Sequence, residues 1–278
     1  MLSKILRGEP DIPPETFDTI GRILKARSGF SLQGYKDQCV KRRIHIRMRA
    51  TDSASPEAYS ALLTESPAEQ DLLLRVLTIH VSHFFRNPST FEKLAAQIIP
   101  ELIARHRARQ LRITSVGCAA GEEPYSLALI MRERFPELIE GERLSILGID
   151  IDQGVLEGAQ SGIYHPDRLA EVPPELRARW FTPHGQQFQL SQEIRSLVSF
   201  RQCDVGDAAP LPASDLILCR NLLIYFERGK QEEILNGFAD ALGPGGILVL
   251  GKSETMSGAS RSRFRTVCPV ERIYRVLH

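Results

Sequence analysis

Eight residues, Gly117-Cys118-Ala119-Ala120-Gly121-Glu122-Glu123-Pro124, join an apolar strand-like run, Leu111 to Val116, to a helix-like run, Tyr125 to Arg134. Glycine has no Cβ, so such a turn lets a ligand approach the backbone closely. The same grammar repeats downstream. Leu144 to Ile149 reads as a second strand ending at Asp150, and Leu197 to Phe200 leads to Asp204. Leu216 to Cys219 leads to Arg220 and Asn221, and Ile247 to Leu250 follows the turn Pro244-Gly245-Gly246. Phe264 to Val267 and Arg272 to Val276 are spaced for a closing hairpin. Strands alternating with helices imply a mostly parallel sheet covered on both faces. Trp180 to Ser196 breaks the rhythm: Phe188 and Leu190 alternate with polar residues, and His184-Gly185 can turn a hairpin. A small β-rich insertion is expected over about 180–197.

The first eighty residues follow another pattern. Phe17, Ile20, Ile23 and Leu24 recur at helical spacing before Gly29, and Val40, Ile44 and Met48 lie four apart,. Ser55-Pro56 and Ser66-Pro67 are helix-start signals,. A helical unit over 1–78 and an α/β domain over 79–278 are therefore expected, with a long helix from Thr90 to Arg109 leading into the first strand. Residues 1–50 hold eleven Lys and Arg against five Asp and Glu, concentrated in Lys41 to Arg49. That cluster suits docking of an acidic surface, nucleic acid or protein, or is a solvated helix face. Only Tyr35 is aromatic between residues 31 and 50, which disfavours base stacking and hence nucleic acid.

Five scattered cysteines without CxxC spacing point away from zinc and toward a reducing, cytoplasmic compartment,. No apolar run suits a membrane span or a signal peptide. Nothing calls for a dimer, so a monomer is expected.

In an open parallel sheet, ligands bind beyond the carboxyl ends of the strands. That rule selects the turn from Gly117 to Gly121, then Asp150, Asp204, Arg220 and Asn221. A carboxylate at Asp150 can accept from two ribose hydroxyls, and Asp204 can accept from an adenine amine. Glu122 and Glu123 would repel a phosphate but not a ligand with hydroxyls and positive charge. The pattern points to S-adenosylmethionine, whose sulfonium is cationic. Each residue also has a plainer reading: Asp150 as a helix cap, Asp204 as a turn residue, Gly148 and Tyr125 as packing.

Phe84-Phe85-Arg86-Asn87-Pro88, Gly121-Glu122-Glu123-Pro124-Tyr125-Ser126, Asp150-Ile151-Asp152, Ser161-Gly162-Ile163-Tyr164 and Cys219-Arg220-Asn221-Leu222-Leu223-Ile224-Tyr225-Phe226 stand in one order. Together they closely resemble the CheR family of chemoreceptor methyltransferases, from about residue 15 to the C-terminus. The resemblance implies a Rossmann-like class I methyltransferase sheet, an all-helical N-terminal receptor-reading domain and a small β-subdomain. It implies S-adenosylmethionine-dependent esterification of receptor glutamates to glutamyl methyl esters, with S-adenosylhomocysteine as product. The family's cofactor contacts fall on His80, Ser82, Arg86, Glu123, Asp150, Asp204, Val205, Arg220 and Asn221, beside the Gly117 turn. Its proposed catalytic pair falls on Arg86 and Tyr225. Arg42, Arg43, Arg47 and Arg49 would face the acidic cytoplasmic helices of a methyl-accepting chemoreceptor.

Two departures stand out. His80 replaces a frequent asparagine, and His80-Val81-Ser82-His83 lacks the acidic or cysteine companions of a metal site,. His184-Gly185-Gln186-Gln187-Phe188 does not reproduce the loop that docks a receptor's C-terminal pentapeptide, so no such tether is expected. The alternatives are the same chemistry on another protein or RNA, or a signalling module that binds cofactor without transferring methyl groups.

Overall fold

Proline and serine punctuate the N-terminal quarter of the chain. The computed structural model describes residues 11–78, 82–105, 109–207, 210–256 and 258–277. Its first helices are α1 (Pro14–Ser28), α2 (Asp37–Ala50), α3 (Pro56–Glu65) and α4 (Pro67–Leu77). The Ser55 side chain accepts from the Ala58 amide and Ser66 from the Glu69 amide, each just before a proline at the first helical position. The cap satisfies an amide that the helix cannot, and the proline has none to lose. Gly29, in the left-handed region at φ 77°, closes α1,. Ile20, Leu24, Val40, Ile44, Tyr59, Leu63 and Leu73 are buried among these helices.

A distant tripeptide, Tyr225–Glu227, belongs to this helical unit. The Lys36 amide donates to the Tyr225 carbonyl at 2.9 Å and the Glu227 amide to the Gly34 carbonyl at 2.7 Å. The Tyr35 and Phe226 rings lie 4.3 Å apart between centroids.

The second unit comprises His80–Ile224 and Arg228–His278. It opens with α5 (Pro88–Lys93), one π-helical turn (Leu94–Ile98) and α6 (Ile99–Arg105). The expected single helix over 90–109 is thus interrupted, and its residues 106–108 lie outside the described residues. Pro100 has no amide to offer the carbonyl four residues back, and the wide turn before it absorbs the mismatch. Next come β1 (Leu111–Val116), α7 (Glu122–Arg134), α8 (Pro136–Glu140), β2 (Leu144–Asp150), α9 (Gln153–Ser161) and β3 (Ile163–Tyr164). They are followed by α10 (Pro174–Trp180), β4 (Phe181–His184), β5 (Gln187–Leu190), α11 (Gln192–Arg195), β6 (Val198–Gln202) and β7 (Ser214–Cys219). The chain ends with α12 (Arg228–Ala241), β8 (Leu242–Leu250), β9 (Phe264–Cys268) and β10 (Ile273–Val276).

Seven strands form one sheet in the order β6-β2-β1-β7-β8-β10-β9. The first five pair in parallel, and β10 runs antiparallel to both β8 and β9. The order reverses between β1 and β7, which makes their tips the switch point where ligands bind. β7 is buried along its whole length and β1 at all but Arg112, as a strand covered on both faces must be. The insertion is a three-stranded antiparallel sheet in the order β3-β5-β4. Its hairpin turns at Gly185, φ 61°. The pairing of Ile163 and Tyr164 with β5 was not anticipated, because two residues leave no periodicity to read,. β8 starts five residues earlier than expected, with a register shift against β7 between Ser214 and Leu216.

Candidate active site

Three residues of the turn after β1 have positive φ: Gly117 at 68°, Ala119 at 50° and Gly121 at 85°. A Cβ on Gly121 would stand 3.0 Å from Ala159 Cβ and from Tyr125 Cε2. One on Gly117 would stand 3.0 Å from Leu222 Cδ2. The turn is tied to the next strand: the amides of Gly117 and Cys118 both donate to the Ile149 carbonyl, at 2.8 and 3.0 Å. The Asp150 carboxylate, 7% exposed, accepts from the Ala119 amide at 2.9 Å and the Asp152 amide at 3.1 Å. Asp150 thus joins two strand tips, and the cap of α9 is Asp152, whose side chain accepts from the Val155 amide.

The two glutamates at the start of α7 part company. Glu122 is fully buried and meets Arg168 at 3.2 Å. Glu123 accepts from the Ser115 hydroxyl at 2.8 Å and from Arg220 at 3.2 Å. Arg220 sends its other terminal nitrogen to the Arg86 carbonyl and to Asn87 Oδ1, both at 2.7 Å, with Phe91 beneath the guanidinium at 5.5 Å. A planar guanidinium suits such a multi-point clamp. It holds the segment around Arg86, where Phe85 (φ 53°) and Asn87 (φ 62°) are both left-handed. Non-glycine residues keep such angles only where their surroundings enforce them. The Ser126 hydroxyl reinforces the segment by accepting from the Phe85 amide at 2.9 Å. Ser82 sits just upstream, its carbonyl accepting from Arg168.

Beyond β6, the Cys203 amide donates to the Asp150 carbonyl at 2.9 Å, bringing the Asp204-Val205 turn beside Asp150. Asp204 Oδ1 accepts from the Gly206 amide at 2.7 Å. Beyond β7, Asn221 is left-handed at φ 62°. Its amide, with those of Gly251, Leu222 and Leu223, converges on the Glu254 carboxylate at 2.6 to 2.9 Å. Glu254 is 3% exposed. Burial pushes its carboxyl above the usual range, and the four amides oppose that rise,.

The structure therefore gathers Gly117, Glu123, Asp150, Arg220 and Asn221 at the strand tips and links Arg86 to them through Arg220. Asp204 and Val205 adjoin through Cys203. His80 lies outside the described residues. Tyr225 sits in the helical unit, where Arg43 lies 4.8 Å above its ring. Gly148 and Tyr125 are packing residues, as expected: a Cβ on Gly148 would come within 2.8 Å of the Phe200 ring, and Tyr125 is buried.

The four arginines of α2 do not share one face. Arg42 and Arg49 are exposed. Arg43 is 3% exposed and donates to the Leu77 carbonyl, and burial holds its pKa below the ordinary arginine value. Arg47 forms a two-point ion pair with buried Glu69, at 2.9 and 2.7 Å. The apolar stripe at Val40, Ile44 and Met48 continues into positions 43 and 47, one helical step away, so those two arginines turn inward with it. The exposed basic face is correspondingly narrower than the cluster of charges suggested.

Asn87, Ser115, Ser126 and Glu254 were missed by sequence reasoning. Asn87-Pro88 is a turn signal. Glu254 follows the tip of the last parallel strand, where the strand-end rule applied as well as it did to Asp150.

The donor set can be tested against S-adenosylmethionine. Asn221 Oδ1 and Arg220 Nε are buried without a hydrogen-bond partner among the described residues. Buried polar atoms are rarely left so. Both lie on residues just beyond the tip of β7, near the glycine turn that Asp150 and Glu123 adjoin. The set suits a ligand with hydroxyl, amine and cationic groups.

Comparison with known proteins agrees. Residues 80–271 match the model of the CheR methyltransferase SAM binding domain, and residues 15–78 match that of the CheR methyltransferase all-alpha domain. The chain belongs to the CheR methyltransferase family. It is 34% identical over 241 residues to chemotaxis protein methyltransferase 2 of Vibrio cholerae, covering 84% of this chain and 83% of that one. It is 34% identical over 252 residues to chemotaxis protein methyltransferase 2 of Pseudomonas aeruginosa, covering 88% of each. An uncharacterized 104.1 kDa protein of Rhodobacter capsulatus is also 34% identical, but the matched region is 26% of its length. As a CheR member, the protein is a class I, S-adenosylmethionine-dependent methyltransferase of the chemotaxis type. No helix among the described residues is long and apolar enough to cross a membrane.

Proposed function

We propose that this CheR protein esterifies glutamate side chains on the cytoplasmic helices of a methyl-accepting chemoreceptor, acting in the cytoplasm as a monomer. The observation that carries the proposal is the strand-tip cluster, in which Asp150 and Glu123 flank a glycine turn and Asn221 keeps a buried acceptor without a partner among the described residues. Asp150 would hold the ribose of S-adenosylmethionine, and Asp204 and Val205 its adenine. Glu123, Arg220, Asn221, Ser82 and His80 would hold the amino-acid end. When bound, S-adenosylmethionine supplies a methyl group activated by its sulfonium.

The protein's own task is modest in acid–base terms. A glutamate carboxylate is already ionised near neutral pH, so no general base is needed. What remains is to strip its water and aim one oxygen. Arg86, held between two left-handed residues, can steer the carboxylate by a charge-assisted bond. Too tight a grip would stabilise the ground state and slow transfer. Tyr225 would donate one hydrogen bond to orient the acceptor. Residues 1–78 would read the receptor and residues 79–278 carry out transfer. Arg42 and Arg49, with Ile46 (41% exposed) on the same helical face, would meet the receptor's acidic helix,. Docking through a receptor pentapeptide is not part of this reading.

The test is incubation with receptor-bearing membranes and tritiated-methyl donor, followed by base hydrolysis. Volatile methanol is expected from wild type, and Arg86→Ala should lose most of it. Label that survives base, or full activity in Arg86→Ala, would refute the assignment.

A further inference from the structure

Glu254 is built into the second unit by main-chain donors from two strand tips. Its Oε2 accepts from the amides of Gly251 and Asn221, and its Oε1 from those of Leu222 and Leu223. A carboxylate is the side chain that can accept from four donors at once, two per oxygen. Gly251 makes the approach possible: a Cβ there would stand 2.7 Å from Glu254 Oε2 and 2.8 Å from the Asn221 amide nitrogen. The turn so gathered carries Asn221, left-handed and with Oδ1 buried and without a partner among the described residues. It also lays Leu222 against Gly117, within 3.0 Å of where a Cβ would be. One carboxylate thus fixes both the turn that carries Asn221 and the contact of Leu222 with the Gly117 turn.

We propose that Glu254 is a positioning residue for S-adenosylmethionine, fixing Asn221 and Leu222 against the Gly117 turn. This rests on the reading of the strand tips as the donor site. Glutamine at 254 keeps the size but turns its NH2 toward two amides, so half of the hydrogen bonds become repulsive contacts. Aspartate keeps the charge on a shorter stem.

The test compares wild type, Glu254→Gln, Glu254→Asp and Gly251→Ala as full chains. S-adenosylhomocysteine affinity is measured by calorimetry, and KM is measured separately for donor and receptor. Glu254→Gln is expected to weaken S-adenosylhomocysteine about tenfold or more and to raise donor KM in parallel, leaving receptor KM within about twofold. Glu254→Asp should fall between it and wild type, and Gly251→Ala should reproduce Glu254→Gln. A merely structural role would lower the melting temperature without this selective change. Should Glu254→Gln fail to fold, the other two variants decide. Wild-type affinity in the folded variants overturns the role of Glu254 while leaving the site intact. A wild-type protein that binds no S-adenosylhomocysteine overturns the site, and the role with it.

Discussion

Replacing Arg47 separates a docking arginine from a structural one. Its side chain is 16% exposed and that of its partner Glu69 is 7% exposed, and they meet through two hydrogen bonds. The Tyr59 hydroxyl donates to the same carboxylate at 2.8 Å, and burial together with that bond raises the Tyr59 pKa far above its ordinary value. Arg47→Ala leaves a buried carboxylate with a single neutral donor. Breaking one side of such a pair costs about 3–5 kcal/mol. In a domain of 60–100 residues each kcal/mol moves Tm by about 4–8 °C, so a fall of more than about 10 °C is expected in the helical transition. Arg42→Ala, at an exposed position, should stay within about 0.5 kcal/mol. Far-UV circular dichroism during urea unfolding reads both, while the single tryptophan, Trp180, reports the other unit. A double-mutant cycle with Glu69→Ala should return a coupling of at least about 2 kcal/mol. Loss of less than about 1 kcal/mol in Arg47→Ala, at unchanged m, would refute the reasoning. Reduced receptor methylation would then mean lost docking, not a loosened helical unit.

Two further outcomes follow from the sheet unit. Gly121→Ala puts a Cβ 3.0 Å from Ala159 and Tyr125 at φ 85°; a loss of about 1–3 kcal/mol in chemical unfolding and weaker S-adenosylhomocysteine binding are expected. For Asp215, burial alone would raise the carboxyl, but bonds from the Arg112 side chain and amide and the charge of Arg109 bring it below 3.8. A folded pKa below the unfolded one means stability that is present above 3.8 and lost as pH falls through the folded value,. The stability gap between wild type and Asp215→Asn should therefore shrink on acidification below about pH 4; a gap that stays constant would contradict the pairing.

How much of this was legible in the sequence depended on the range of the interaction. Alternating strands and helices, the capped helix starts and the acidic tip at Asp150 are local patterns, and the fold follows from them. The inward turn of Arg43 and Arg47 was not legible because periodicity gives the centre of a buried stripe but not its width. That width is set by neighbours such as Glu69 and the Leu77 carbonyl. The Arg220 clamp spans 134 residues to the Arg86 carbonyl, and Glu254 reaches back 33 to Asn221. No spacing rule covers such distances. The two-residue strand at Ile163 acquires its conformation from β5 alone.

The tripeptide Tyr225–Glu227 has a practical consequence for anyone dividing the gene. A fragment ending near residue 78 would lack the peptide groups that receive the Lys36 amide and offer the Glu227 amide to Gly34, and would bare the faces of Tyr35 and Arg43. Such a piece should be less soluble than its parent, and adding a synthetic peptide spanning 222–230 in trans offers a way to mend it.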